Sequence, residues 1–266
     1  GEKIGCFGLT EPEGGSNPAT PRTTAKRDGD GWVLNGEKMW ITNGSFADLA
    51  VVWAQTGDSP RDIRGFVVEK GTPGFSAPEI KKKIGLKASV TSSLVFEDCR
   101  VGADALLPGS ECGLKAPLMC LSMARFGIAY GGLGAARGCL EEALAFTETR
   151  RPFTKSLNQY QLVQQKLADC FSRLCRAQAL VYRVGQLLDA GKWVPEHISM
   201  AKRDSVRGAL ETARVCRDML GANGITYEFH AGRHETNLIS VDTYEGTYDI
   251  HTLILGRYLT GQAAFD

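Results

Sequence analysis

The rhythm of hydrophobic positions changes near residue 113. Before it, short apolar runs at 32–41, 49–55, 63–69 and 92–96 are bounded by Gly, Pro, Asp or Ser, the pattern of strands. Asp28-Gly29-Asp30-Gly31 stands just before the first run, and Asp-Gly pairs accept the left-handed backbone of a tight hairpin. Short strands with frequent turns predict a barrel or sandwich rather than strand–helix–strand units. Beyond residue 113 the apolar period is helical, with helices predicted at 118–148, 161–190, 195–220 and 247–264. Gly191 and Gly221 follow two of them as stops, and Pro195 suits a first turn. Four such helices predict a bundle. The expected fold is therefore α+β, with a β-barrel or sandwich domain over 1–112 and a C-terminal four-helix bundle over 113–266. Gly131-Gly132-x-Gly134, inside the first helix, predicts a close helix-packing face. It has no strand before it, as a dinucleotide loop would.

Composition adds bounds. The 266 residues are 43% hydrophobic and 23% charged, enough for a sizeable core in one or two domains. A net charge of +1 gives no field that calls for nucleic acid or a membrane surface. The longest apolar region, 114–136, is interrupted by Lys115, Arg125 and glycines, so no membrane insertion is expected. The 8 cysteines form no Cys-x-x-Cys pair and read as reduced core thiols. His230 and His234 have helical metal-ligand spacing, but no third ligand follows at a recognisable distance. Lys81-Lys82-Lys83 reads as a solvated loop. The chain opens on Gly-Glu-Lys-Ile-Gly, without an initiator Met, and its first residues read as a strand-like segment rather than as a signal or transit peptide.

Three segments carry candidate chemistry. Thr243-Tyr244-Glu245-Gly246-Thr247-Tyr248-Asp249-Ile250-His251 sets a carboxylate beside a glycine, just before an apolar helix. A carboxylate held on such a turn over an enclosed pocket can act as a base toward a carbon acid. The second segment runs from Cys6-Phe7-Gly8-Leu9-Thr10 to Gly14-Gly15-Ser16-Asn17, and the third is Lys38-Met39-Trp40-Ile41-Thr42-Asn43. In this order and spacing they resemble the signature regions of the acyl-CoA dehydrogenase family, over essentially the whole chain. Ile63-Arg64-Gly65-Phe66, Arg217-Asp218-Met219-Leu220-Gly221 and 244–257 are most similar to its glutaryl-CoA-oxidising branch.

The resemblance implies an FAD enzyme that oxidises acyl-CoA thioesters to enoyl-CoA. Glu245 would remove the α-proton while hydride leaves the β-carbon for flavin N5. Phe7, Leu9 and Thr10 would bond the isoalloxazine edge, and Gly15 and Ser16 would approach the pyrophosphate and the thioester arm. Trp40, Ile41 and Thr42 would meet the flavin face and its N5 side. Arg150, Phe153 and Gln161, with Asp218, Met219, Leu220, Gly221 and Ala222, would reach the FAD of a neighbouring subunit. Thr247, Tyr248 and Asp249 would complete the contacts in their own subunit. Ser16, Arg125, Tyr244 and Gly246 would touch substrate.

Several positions depart from the family pattern. Asn17 stands for a usual Asp, Thr154 for Gly, Ser156 for Pro and Ala222 for Gly. With glutaryl-CoA, loss of carbon dioxide and reprotonation would give crotonyl-CoA. Expected partners are the acyl-CoA substrate, an electron-transfer flavoprotein and further copies in a homo-oligomer, a dimer or tetramer. The expected location is a bacterial cytoplasm or mitochondrial matrix. An acyl-CoA oxidase and a non-catalytic scaffold subunit stay open as alternatives. Family members begin with a further helical domain, so the chain also reads as a fragment, a processed product or half of a split enzyme.

Overall fold

The computed structural model describes residues 1–263, so position 264 at the end of the last predicted helix lies outside the described residues. The chain divides into two compact units, Gly1–Cys120 and Leu121–Asp266.

The first unit is built on one mixed sheet that forms a half-barrel. Its strands are β1 (Gly5–Gly8), β2 (Thr24–Asp28), β3 (Gly31–Thr42), β4 (Leu49–Gln55), β5 (Ile63–Glu69), β6 (Phe75–Ser76) and β7 (Thr91–Val101). The order is β1-β4-β2-β3-β7-β6, with β5 also paired to β4. Asp28 pairs Gly31 across a two-residue turn in which Gly29 has φ 62°, as the Asp-Gly signal requires. Alternate residues of each strand, among them Leu34, Val52, Phe66, Leu94 and Phe96, fill the core.

Ladder β3·β7 slips register twice. The first slip is at Gly36, with φ 139°, where a Cβ would fall 2.6 Å from Thr23 Cα. The second lies between Lys38 and Ile41 and puts Trp40 at φ 65°. A bulge re-aims side chains, and Trp40 here is 55% exposed. A tryptophan in a strand is ordinarily core; the bulge is what takes this one out of it.

Among the described residues the second unit carries five α-helices, not the four expected: α1 (Lys115–Thr149, which begins within the first unit), α2 (Gln161–Asp189), α3 (Pro195–Met219), α4 (Ala231–Thr243) and α5 (Tyr248–Thr260). Pro195 opens α3. Gly191 and Gly221 follow α2 and α3 in the left-handed region, at φ 64° and 60°. Helix α4 escaped the periodicity because only Ala231 and Leu238 on it are buried. Its start is capped from α1, where the Glu142 carboxylate accepts from the His230 and Ala231 N–H groups at 2.8 and 2.9 Å. Of the three glycines singled out in α1, Gly132 alone lies against α3, where a Cβ would fall 3.4 Å from Ser205 O and Val206.

Helix α1 is, contrary to the expectation from its interruptions, long and apolar enough to cross a membrane, with an 18-residue window of mean hydropathy 1.2. One arginine and several glycines lower that average too little. In this fold Ala136, Cys139, Leu140 and Ala143 of α1 pack in a core with Cys170, Ala209, Ala213 and Cys216.

Candidate functional site

In the sheet unit the Phe7–Ser16 segment is tied to β3 through buried charge. Lys38 Nζ meets Glu11 Oε1 at 2.7 Å and Leu9 O at 3.2 Å, and Met39 N–H donates to Thr10 O at 2.8 Å. The Glu11 carboxylate also accepts from the Arg22 and Thr23 N–H groups at 2.6 and 3.0 Å. Burial pushes its pKa up, but the Lys38 charge and these donors outweigh that and leave it below the usual carboxylate range. Nothing local in the sequence marks this pair, whose members are 27 positions apart. Its signal is a lysine at an inward position of a strand.

Around this anchor the predicted cofactor residues differ in what they offer. Leu9 and Ile41 are buried, so they have main-chain groups to give. Phe7 is half-buried, 6.2 Å ring to ring from Trp53. Thr10 is half-buried, and Ser16 and Thr42 are exposed. A Cβ on Gly15 would meet nothing within 4 Å, so no protein atom there demands glycine. A ligand close to the backbone would.

In the helical unit the centre is the turn between α4 and α5. Glu245 and Gly246 both have positive φ, 57° and 89°. A left-handed glutamate costs roughly 1–2 kcal/mol and persists only where its surroundings fix it. Three helices supply that fixing. Arg125 Nε of α1 donates to Glu245 O at 2.8 Å, and His251 Nε2 of α5 donates to the same oxygen at 3.2 Å. Lys202 Nζ of α3 donates to Asp242 O, Tyr244 O and Gly246 O at 3.4, 2.9 and 2.7 Å. A Cβ on Gly246 would fall 2.8 Å from His251 Nε2, so that position has room only for glycine.

The electrostatics follow from burial. Burial pushes the Glu245 carboxyl above the usual carboxylate range, against the pull of the Arg125 and Lys202 charges. Its Oε2 is buried without a hydrogen-bond partner. Burial and the neighbouring cations hold His251 down to about 3, so its ring is neutral with the proton on Nε2. Burial pushes Lys202 down to about 8, a shift that Asp242 opposes.

The other predicted residues of this unit fall into separate settings. Thr247 caps α5, its Oγ1 accepting from Ile250 N–H at 3.1 Å, and Asp249 is exposed in the first turn. Tyr248 lies between the guanidinium groups of Arg203 and Arg207, each 4.2 Å from the ring centre. Tyr244 is 38% exposed beside the carboxylate. Arg150 and Gln161 are exposed at the two ends of the α1–α2 connection, and Phe153 within it is 78% exposed. Asp218 pairs with Lys166 of α2, Met219 and Leu220 are buried, and Gly221 and Ala222 are exposed. Ala222 is absent from the positive-φ residues, so alanine is unstrained there. Arg125, placed at the substrate mouth by resemblance, here grips the main chain of Glu245.

Both units match known families. The middle-domain model of the acyl-CoA dehydrogenases covers residues 6–99, and their C-terminal-domain model covers 111–260. The chain belongs to the acyl-CoA dehydrogenase family. Glutaryl-CoA dehydrogenase from Mycobacterium smegmatis superposes with a TM-score of 0.97 at 54% identity, covering 100% of this chain and 67% of that one. A second structure, of a glutaryl-CoA dehydrogenase from Mycobacterium smegmatis in complex with FADH2, gives a TM-score of 0.96 at 54% identity, with 100% and 68% covered. The mitochondrial short-chain specific acyl-CoA dehydrogenase of Homo sapiens is 38% identical over 261 residues, which are 97% of this chain and 63% of the relative. The chain thus spans less than two thirds of that relative's length.

Proposed function

We propose that this chain carries the catalytic base and the flavin-contacting segments of an FAD-dependent acyl-CoA dehydrogenase of glutaryl-CoA type. One observation carries the proposal: a carboxylate with a raised pKa and a buried, unpartnered oxygen sits on a strained turn that three helices hold in place. Such a group is a base kept poised rather than spent on an ion pair.

The residues present fit the cofactor. Trp40 offers an exposed ring on a strained bulge, and among the described residues no protein group bonds the Thr10, Ser16 or Thr42 hydroxyls. Bound FAD would supply the hydride acceptor. Phe7, Leu9, Thr10, Gly15, Ser16, Trp40, Ile41 and Thr42 would hold it from the sheet unit. Arg150, Phe153, Gln161, Asp218, Met219, Leu220, Gly221, Ala222, Thr247, Tyr248 and Asp249 are the helical unit's candidates. Glu245 takes the α-proton of the thioester, and its own N–H helps polarise the thioester oxygen. Within the helical unit, Gly246 would let the thioester pack against the turn, with Tyr244 beside the carboxylate as a further substrate contact. Ser16 is the sheet unit's candidate for the thioester arm.

The 54% identity to the Mycobacterium smegmatis enzyme favours glutaryl-CoA. In that case protonated Glu245 returns its proton after carbon dioxide leaves, giving crotonyl-CoA. We assign an electron-transfer flavoprotein as electron acceptor, a homo-oligomer as the working form, and a mitochondrial matrix or bacterial cytoplasm as its place. Exposed Phe153, Leu162, Tyr182, Tyr258 and Leu259 support further subunit contacts.

The test is the visible absorption of the purified holoprotein before and after anaerobic glutaryl-CoA. Bleaching of a flavin band is expected. A flavin band that ignores glutaryl-CoA but bleaches with butyryl-CoA would move the substrate to the short-chain class. Peroxide formation on turnover in air would make the protein an oxidase.

A further inference from the structure

We infer that Lys202 is a positioning residue for proton abstraction: its ammonium group fixes the turn that carries Glu245. This rests on Glu245 being the base.

The geometry is a complete match of donors to acceptors. An ammonium group has three N–H donors, and Lys202 meets three main-chain carbonyls, those of Asp242, Tyr244 and Gly246. The last carbonyls of a helix have no partner within it, and Lys202 serves the C-terminal end of α4 while tying down both neighbours of Glu245. The Glu245 carbonyl between them goes to Arg125 and His251. Main-chain carbonyls on both sides of the base are therefore held from α3, and its own from α1 and α5. No carboxylate forms an ion pair with Lys202 among the described residues. A lysine kept for solubility would be exposed, and this one is 1% exposed.

The placement has an energetic meaning. Burying an ammonium group is costly unless it is fully bonded. Ile198, Ala201, Ser205, Val206 and Ala209 surround position 202 on the buried stripe of α3, where an apolar residue would avoid that cost. The bonds to the turn are what Lys202 contributes in return. It also brings a positive charge that lowers the Glu245 pKa. Loss of Lys202 therefore acts in two ways: the turn can relax from its left-handed conformation, and the carboxylate becomes harder to ionise.

The experiment uses the flavin-loaded holoprotein and two readouts. The first is solvent-deuterium exchange at the α-carbon of a bound acyl-CoA, followed by NMR, which needs no redox turnover. The second is the pH profile of turnover. For Lys202→Met we expect α-exchange and kcat to fall by about 10²-fold, the scale of a displaced reacting group. KM should change little, the flavin spectrum should persist, and the acid limb of the profile should move to higher pH. If Lys202→Met does not fold, Lys202→Gln decides. It keeps two donors without charge, so a smaller rate loss and the same direction of limb shift are expected. Wild-type exchange and an unmoved limb, or a KM effect alone, overturn the inference. Glu245→Gln separates the two levels. If it keeps wild-type exchange, the base assignment fails and the Lys202 inference falls with it. If it abolishes exchange while the Lys202 variants behave as wild type, the base stands and the positioning role alone is wrong.

Discussion

Arg125 and Glu245 meet through the main chain: the guanidinium Nε donates to the Glu245 carbonyl at 2.8 Å. Among the described residues no ion pair joins the two side chains, and Glu245 Oε2 is left buried without a partner. The arginine thus fixes where the carboxylate is without neutralising it.

Glu245→Gln keeps the shape of the turn and removes the proposed base. Turnover should fall by about 10²–10⁴-fold, the range of a lost general base, with the flavin spectrum intact. Single-turnover bleaching by acyl-CoA under argon is the measurement. A variant that bleaches at the wild-type rate would rule out Glu245.

The raised pKa of Glu245 sets two pH dependences. The acid limb of kcat/KM should lie above the range of an ordinary carboxylate, with activity rising as pH rises through it. For stability the sign is opposite. A carboxyl whose folded pKa is raised gives stability that is present below its unfolded pKa and is lost as pH rises through the folded one. Glu245→Gln should therefore melt above wild type at neutral pH, and the gap should close in acid. Differential scanning calorimetry across pH checks this.

Gly246→Ala forces a Cβ to within 2.8 Å of His251 Nε2 at φ 89°. The left-handed conformation alone costs about 1–2 kcal/mol, and the ring is already held by its bond to the Glu245 carbonyl. A lower Tm and a loss of α-exchange are expected together. A variant with wild-type Tm would mean the turn is less fixed than its contacts indicate.

Lys38→Met strands the Glu11 carboxylate in the sheet unit. Removing one partner of a buried pair costs about 3–5 kcal/mol, and the double variant Lys38→Met/Glu11→Gln should recover part of it. The depressed Glu11 pKa gives stability present above its unfolded pKa and lost as pH falls through the folded one. Denaturant midpoints of the cycle at neutral and acid pH test both statements.

Trp40→Gly relieves a left-handed backbone while removing a ring that is 55% exposed. Stability should hold or rise, and flavin affinity should fall by about tenfold, the scale of one aromatic contact. Flavin titration of the apoprotein measures it.

The sequence made much of this visible because its punctuation is local. Gly29 within the β2–β3 turn, Pro195 opening α3, and Gly191 and Gly221 past α2 and α3 each mark a place where one residue type decides the backbone. The Glu245 segment was legible as a carboxylate beside a glycine. What stayed hidden depends on partners far along the chain. Helix α4 has a mostly polar sequence and takes its cap from Glu142, 88 and 89 positions away. Lys202 reaches carbonyls 40 to 44 positions on. Its one trace is a lysine inside the apolar stripe of α3, which periodicity alone treats as an interruption.

Turns are usually where a chain tolerates insertion. The one at Glu245 lacks that freedom, since the carbonyls of Asp242, Tyr244, Glu245 and Gly246 are all claimed by side chains of other helices. An added residue would unseat several bonds at once. Variation around this turn must then come from exposed side chains such as Tyr244, while Glu245 keeps its address.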